Sequence, residues 1–166
     1  MKFKANQIRF NAVRFVCHNL FLAVVFALLA AGVQAQTGAG NAGADLPVWQ
    51  NYKGVGIGMT AAEARSKLGA PKTEDNDGLF YVLSDTETAH VLLDGEKKVR
   101  AVSVIFSAEH ANPPKFADIF GKAAKAEPKS DGSIYKLIRF ENAGYWVSYS
   151  RLAGDKALVT VMIQKL

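Results

Sequence analysis

The chain has 166 residues, 20 Lys+Arg against 15 Asp+Glu, and a single cysteine. Four of the bases and none of the acids fall before residue 36, so the remainder carries sixteen bases against fifteen acids, a net charge of +1. That near-neutral balance, with no basic run, argues against nucleic acid as a partner and against tight binding to anionic membrane surfaces.

The first segment reads as a targeting signal. Lys2, Lys4, Arg9 and Arg14 form a basic start, 20-LFLAVVFALLAAGV-33 is a short apolar run, and Val33-Gln34-Ala35 offers small residues at the cleavage positions. Cys17, His18 and Asn19 interrupt the run before it reaches the roughly 20 apolar residues of a membrane span. The expectation is a signal over 1–35, cleaved after Ala35, with the product periplasmic or secreted. The alternative is an uncleaved anchor tethering the chain to the inner membrane. Cys17 precedes the apolar core instead of following it, so no lipid anchor is expected. Without Cys17 the processed chain has no thiol, which removes disulfides, thiolate nucleophiles and cysteine metal sites together.

Residues 36–45 are small and polar and read as a flexible linker. One α+β domain is expected over 46–166, large enough for a modest core. Its first motif is 53-KGVGIGMTAAEARSKLGAP-71. A P-loop needs a lysine followed by Ser or Thr after its last glycine, and a dinucleotide fingerprint needs G-x-G-x-x-G; neither pattern is met. Thr60 with Glu63 instead forms a capping box. Gly69 and Pro71 are stop signals, so a helix is predicted over 61–68. Neither nucleotide nor any other cofactor is implied.

A polar loop, 71-PKTEDNDG-78, precedes three strand-like runs at 79–83, 88–94 and 99–107. A second helix is expected with Asn112 as cap, Pro113 at its first position, and Phe116, Ile119, Phe120 and Ala123 on one face. Three more strands follow at 133–140, 144–150 and 157–164.

The order helix–strand–strand–strand thus occurs twice, over about 54–107 and 112–165. Thr60 corresponds to Asn112, Phe80-Tyr81 to Ile134-Tyr135, and 102-VSVIF-106 to 159-VTVMI-163. The predicted fold is a two-layer α+β sandwich of two tandem α-β-β-β repeats. They share one antiparallel sheet of about six strands, with both short helices on one face.

The string 58-GMTAAEARSKLGAP-71 resembles the signature of the SmpA/OmlA family, through Gly58, Met59, Thr60, Glu63, Leu68, Gly69 and Pro71. That family includes the small lipoprotein subunit of the outer-membrane β-barrel assembly machinery. The tandem order is similar to the β-lactamase-inhibitory-protein architecture. Both groups are extracytoplasmic, non-enzymatic and act by binding proteins, and the resemblance implies the same here. Two of their features have no counterpart: the lipidated cysteine at the mature N-terminus of the first, and the disulfides of the second.

Candidate chemistry is sparse. His90 lies in a strand, and no serine nucleophile in a recognisable elbow accompanies it. Glu109 and His110 are adjacent ligands lacking a third, and Glu74, Asp75 and Asp77 lack the spacing of a calcium loop. Lys97, Lys98 and Arg100 read as turn or edge solvation. In 144-GYWVSYS-150, alternation sets Tyr145, Val147 and Tyr149 on one face and Trp146 on the other. If the first set is core, Trp146 stands on an open face with Tyr135, Thr160 and Met162, where aromatic anchors suit a protein partner. The competing arrangement covers that face with the segment around Trp49 and Tyr52.

The expected function is an exported, non-enzymatic protein-binding module, in envelope or outer-membrane assembly. Alternatives are an inhibitor of an extracytoplasmic enzyme, or a small-ligand binder or small hydrolase working on the open sheet. N-terminal sequencing of the exported product is expected to start at or near Gln36; full-length chain recovered from the cytoplasm would overturn the signal.

Overall fold

The computed structural model of the protein describes residues 48–154 and 157–166, all within one compact unit, Gly43–Leu166. The signal over 1–35 and the linker over 36–45 lie outside the described residues. The chain forms α1 (Ala61–Leu68), β1 (Thr73–Glu74), β2 (Gly78–Ser84), β3 (Glu87–Leu93), β4 (Val99–Phe106), α2 (Phe116–Phe120), β5 (Ile134–Phe140), β6 (Tyr145–Arg151) and β7 (Val159–Lys165). A single 3₁₀ turn, Glu141–Ala143, joins β5 to β6. All strands belong to one antiparallel sheet in the order β1-β2-β3-β4-β7-β6-β5. No helix among the described residues is long and apolar enough to cross a membrane.

Helix α1 begins and ends where its capping residues dictate. The Thr60 hydroxyl accepts from the Glu63 amide at 3.2 Å, and the Glu63 carboxylate accepts from the Thr60 amide at 2.7 Å. Those bonds, the amide's first and the hydroxyl's second, hold the Glu63 carboxyl below its ordinary pKa. Gly69 closes the helix at φ +84°, a left-handed backbone that side chains resist.

Helix α2 departs from expectation. Asn112 does not cap it and Pro113 is not its first residue; Lys115 is the N-cap, and the helix stops at Phe120 before Ala123 can join. The cause is the pair Pro113-Pro114. A residue that precedes proline is disfavoured in the helical region, and neither Asn112 nor Pro113 is helical here. The first usable turn therefore starts later, with the Asp118 carboxylate accepting from the Lys115 amide at 2.8 Å.

The sheet has seven strands where about six are expected. The added one, β1, lies in the stretch 71–78 read as a loop, and pairs Thr73 with Phe80 and Glu74 with Leu79. Arg65 of α1 grips the Glu74 carboxylate with two nitrogens, Nε at 3.2 Å and a terminal NH2 on the other oxygen.

The core lies on one face of the sheet. Register aligns Leu79, Val91, Val102, Ile163 and Val147 in a row across β2, β3, β4, β7 and β6, each fully buried. A second row contains Tyr81, Ala89, Val104, Val161 and Tyr149. Ala64 of α1 and Phe116 and Ile119 of α2 are buried in the same core. The Phe116 ring meets Tyr149 edge-on at 5.6 Å.

The segment around Trp49 and Tyr52 packs into this core as well, so it does not cover the opposite face. Tyr52 is buried there, its hydroxyl donating to Glu87 at 2.5 Å, and Trp49 lies against it at 6.4 Å. Burial, followed by the Glu87 hydrogen bond, pushes the Tyr52 pKa up.

Because both halves of the α1 box are made, Thr60→Ala is expected to cost about 0.5–2 kcal/mol in denaturant unfolding. A variant as stable as the parent would show that the cap contributes nothing.

Candidate open-face interface

Every second strand residue points away from the core and builds a second surface. Its first row runs Tyr135, Ser150, Thr160, Ile105, Thr88 and Val82 from β5 to β2. The middle row is Leu137, Ser148, Met162, Ser103, His90 and Phe80. The third is Arg139, Trp146, Gln164, Ala101, Leu92 and Gly78. On the central strands β4 and β7, Ser103 and Thr160 share the face with Ile105 and Met162, and further large groups line both sides, Tyr135, Leu137 and Trp146 on β5 and β6 and Phe80 and Val82 on β2. No acid stands in any row.

Tyr135, Trp146, Thr160 and Met162 all lie on this face, opposite the core. They do not form one tight cluster. Met162 sits opposite Ser148 and is thus the diagonal neighbour of Trp146, within reach of a large ring. Thr160 is two residues from Met162 on β7. Tyr135 is separated from Thr160 by Ser150 and lies four residues along the sheet from the Trp146 level. Tyr135 is 44 % exposed while Trp146 is half-buried. Burial also raises the Tyr135 pKa.

Sequence reading passed over several members of the same surface. Leu137 is 37 % and Val82 52 % exposed, and Arg139 is exposed beside Trp146. On the far side Phe80 and His90 meet edge-to-face at 6.2 Å. The alternation of 133-SIYKLIRF-140 carried the signal for Leu137 and Arg139, since Tyr135 shares their parity.

The other polar candidates are drawn apart. Glu109 accepts from the Ser107 hydroxyl at 2.8 Å, which holds its carboxyl below its ordinary pKa. His110 packs edge-on against Phe106 at 5.0 Å and accepts from the Asn112 amide. Glu74 is taken by Arg65, and Asp75 folds back onto the amides of Asp77 and Gly78 at 2.9 and 3.0 Å. Among the described residues no three acidic, histidine or cysteine side chains come together as a metal site.

The cationic residues are settled locally. Lys97 and Lys98 occupy the β3–β4 turn, with Lys97 at φ +60° and its ammonium on Asn76. Arg100 is the extra residue of a bulge and donates to the Leu93 carbonyl at 3.1 Å. Their solvation role is that of a turn, because β3 and β4 are inner strands and present no edge.

At the opening glycine motif, the amides of Gly58, Thr60, Ala61 and Glu63 already donate to Val99, Glu63, Lys97 and Thr60. A phosphate would have to displace those bonds. Gly54 and Gly58 take positive φ values, as turn residues.

The chain matches no family model, no curated protein and no solved structure. The site is therefore read from its own geometry: a broad, acid-free sheet face with aromatic and aliphatic groups among small hydroxyls.

One buried side-chain polar atom among the described residues has no hydrogen-bond partner, the Tyr81 hydroxyl on the core face. Its removal takes away an unsatisfied group and leaves the ring packing. Tyr81→Phe is expected to match or exceed the parent's stability by up to about 1 kcal/mol. A loss larger than that would mean the hydroxyl has a partner.

Proposed function

We propose that this chain is an exported, non-enzymatic protein-binding module of the cell envelope, acting through the sheet face that carries Tyr135, Trp146, Thr160 and Met162. The observation that carries the reading is the one-sided core. Both helices and the segment around Trp49 and Tyr52 pack on one face, and the other keeps Tyr135 and Leu137 substantially exposed. Tyrosine and tryptophan on such a surface are favoured anchors of protein interfaces. The export signal, the absence of thiols after it, and the resemblance of 58–71 to the SmpA/OmlA signature support an envelope setting and a role in outer-membrane assembly.

We also read the domain as two tandem α-β-β-β repeats. The pairing of β4 with β7 supports this. Aligning 102–106 with 159–163 makes Val104 equivalent to Val161, and these two residues face each other in the sheet. Each neighbouring pair, such as Val102 with Ile163, is then matched by its counterpart, Val159 with Phe106. That is the pattern of a local two-fold axis. The axis also revises one correspondence: Phe80 and Tyr135 share the open face, whereas Tyr81 belongs to the core. Phe80 therefore matches Tyr135, one residue away from the correspondence expected from the letters alone.

The test separates binding from folding. Trp146→Ala is expected to fold with a nearly unchanged thermal midpoint and to weaken capture of envelope proteins by about 2 kcal/mol or more. Val147→Ala, one residue away on the core face, is expected to lose about 2 kcal/mol of stability through two buried methyl groups. If Trp146→Ala instead costs about 3–5 kcal/mol of stability, or leaves capture untouched, the open face is not the working surface.

A further inference from the structure

The two edges of the sheet are built differently. At one, β1 is a two-residue strand, Thr73–Glu74, tied to α1 by the Arg65–Glu74 pair. A short, charged edge of this kind discourages further pairing. At the other, β5 runs seven residues, Ile134–Phe140, without proline, and among the described residues no strand lies on its outer side. Two backbone bonds fix which of its residues point outward. The Gly144 carbonyl accepts from the Leu166 amide, and the Leu152 amide donates to Leu158, so β6 turns its even-numbered residues toward β7 and its odd-numbered ones toward β5. Arg151, Tyr149, Val147 and Tyr145 therefore bond to Ile134, Lys136, Ile138 and Phe140. The amides and carbonyls of Tyr135, Leu137 and Arg139 are left facing out from the sheet. This open ladder begins after Ser133, whose carbonyl already accepts from the Lys129 amide at 2.8 Å.

The side chains of this edge sort by face. Lys136 lies across from Tyr149 on the core side, and Arg139 lies across from Trp146 on the open side. Lys136 is half-buried and makes no salt bridge among the described residues. Arg139 pairs among them only with Glu141, just past the strand, at 4.0 Å and with both side chains exposed. Leu137 and Ile138 stand between the two cations, and the strand contains no acid. Cations on opposite faces of a sheet cannot both rest on one flat anionic surface, such as a bilayer or a duplex. A strand laid beside β5 can meet both, because its own side chains alternate between the same two faces. A second copy of β5 would bring only cations.

We propose that β5 takes an extended acidic segment of another protein as an added strand, paired antiparallel and carrying carboxylates at positions three residues apart. Its backbone bonds form at Tyr135, Leu137 and Arg139. One carboxylate lies opposite Lys136, in a non-hydrogen-bonded pair, where side chains approach more closely. The other lies opposite Arg139, whose guanidinium fork can hold it through two nitrogens. The residues between them face Leu137 and Ile138 and are apolar, so the pattern recognised is acid, apolar, apolar, acid. The inference concerns the edge and does not rest on the open-face reading, so either can fail alone.

The probe is the peptide Thr-Glu-Val-Val-Glu-Val-Thr, acetylated and amidated, titrated into the purified chain up to millimolar concentration and followed by amide NMR. Saturable binding is expected, with the Tyr135, Leu137 and Arg139 amides becoming protected from hydrogen exchange. The same peptide with Gln at both Glu positions is expected to bind about fivefold or more weakly. Lys136→Glu combined with Arg139→Glu is expected to reverse the preference, so that a peptide with Lys at those positions binds better than the Glu peptide. Equal affinity for the Glu and Gln peptides would overturn the proposal. So would no binding at millimolar concentration, or binding that leaves those amides unprotected. Phosphatidylglycerol vesicles that protect the same amides would overturn it too, by assigning the edge to a membrane. The peptide series leaves the chain itself unaltered, so it decides even if the charge-reversed variant misfolds.

Discussion

The pairing of β4 with β7 is the contact on which the remaining architecture depends. These strands join the hairpins β2-β3 and β6-β5 into one sheet, through six register pairs from Ala101–Gln164 to Phe106–Val159. Val102, Val104, Val161 and Ile163 are fully buried along that seam, and the core rows extend outward from them. Either half alone would present a small sheet with short helical cover and little apolar area to bury. Pairing at the centre merges the two into a common core, which a small domain without disulfides requires.

The same construction decides what remains uncovered. Two short helices and the segment from Trp49 to Val55 suffice for one face of a seven-stranded sheet. The opposite face is lined at its centre by Ser103, Ser148, Ser150 and Thr160, with Met162 and Ile105 among them. It carries larger groups such as Tyr135, Leu137, Trp146 and Phe80 toward its sides. Antiparallel sheets accept one solvated face, and this one keeps Tyr135, Leu137 and Val82 exposed. That exposed apolar surface motivates the functional reading.

Contacts that fix geometry are separate from that surface. The Arg65–Glu74 pair is exposed and holds β1 to α1, the Tyr52–Glu87 bond is on the core side, and the acidic loop residues close their own turns. The ionisable groups of this domain thus act mainly as caps, turn locks and clips. An exposed ion pair of this kind adds little stability, about 0–1 kcal/mol, and its value lies in placing a strand end.

What the sequence determined by itself was local. The bounds of α1 followed from Thr60, Glu63 and Gly69, because a cap is satisfied by groups three residues apart. The six longer strands followed from period-two alternation bounded by turn residues. The two-sided character of β6 was also legible, but not which side was core, since Tyr145, Val147 and Tyr149 on one face and Trp146 on the other offer an aromatic to each. Only the tertiary structure decided that, by aligning Val147 with Ile163 and Val102 in a buried row. It also placed Trp49 and Tyr52 in the core, since nothing near them in sequence names the Ile119 carbonyl that Trp49 donates to or Tyr52's partner Glu87. It made a strand of Thr73–Glu74, because the Phe80 and Leu79 backbones and Arg65 supply what two polar residues cannot. It started α2 at Phe116, where the double proline releases the backbone. Face, register and edge are relations between distant segments, and a period of two leaves each of them open until the strands meet.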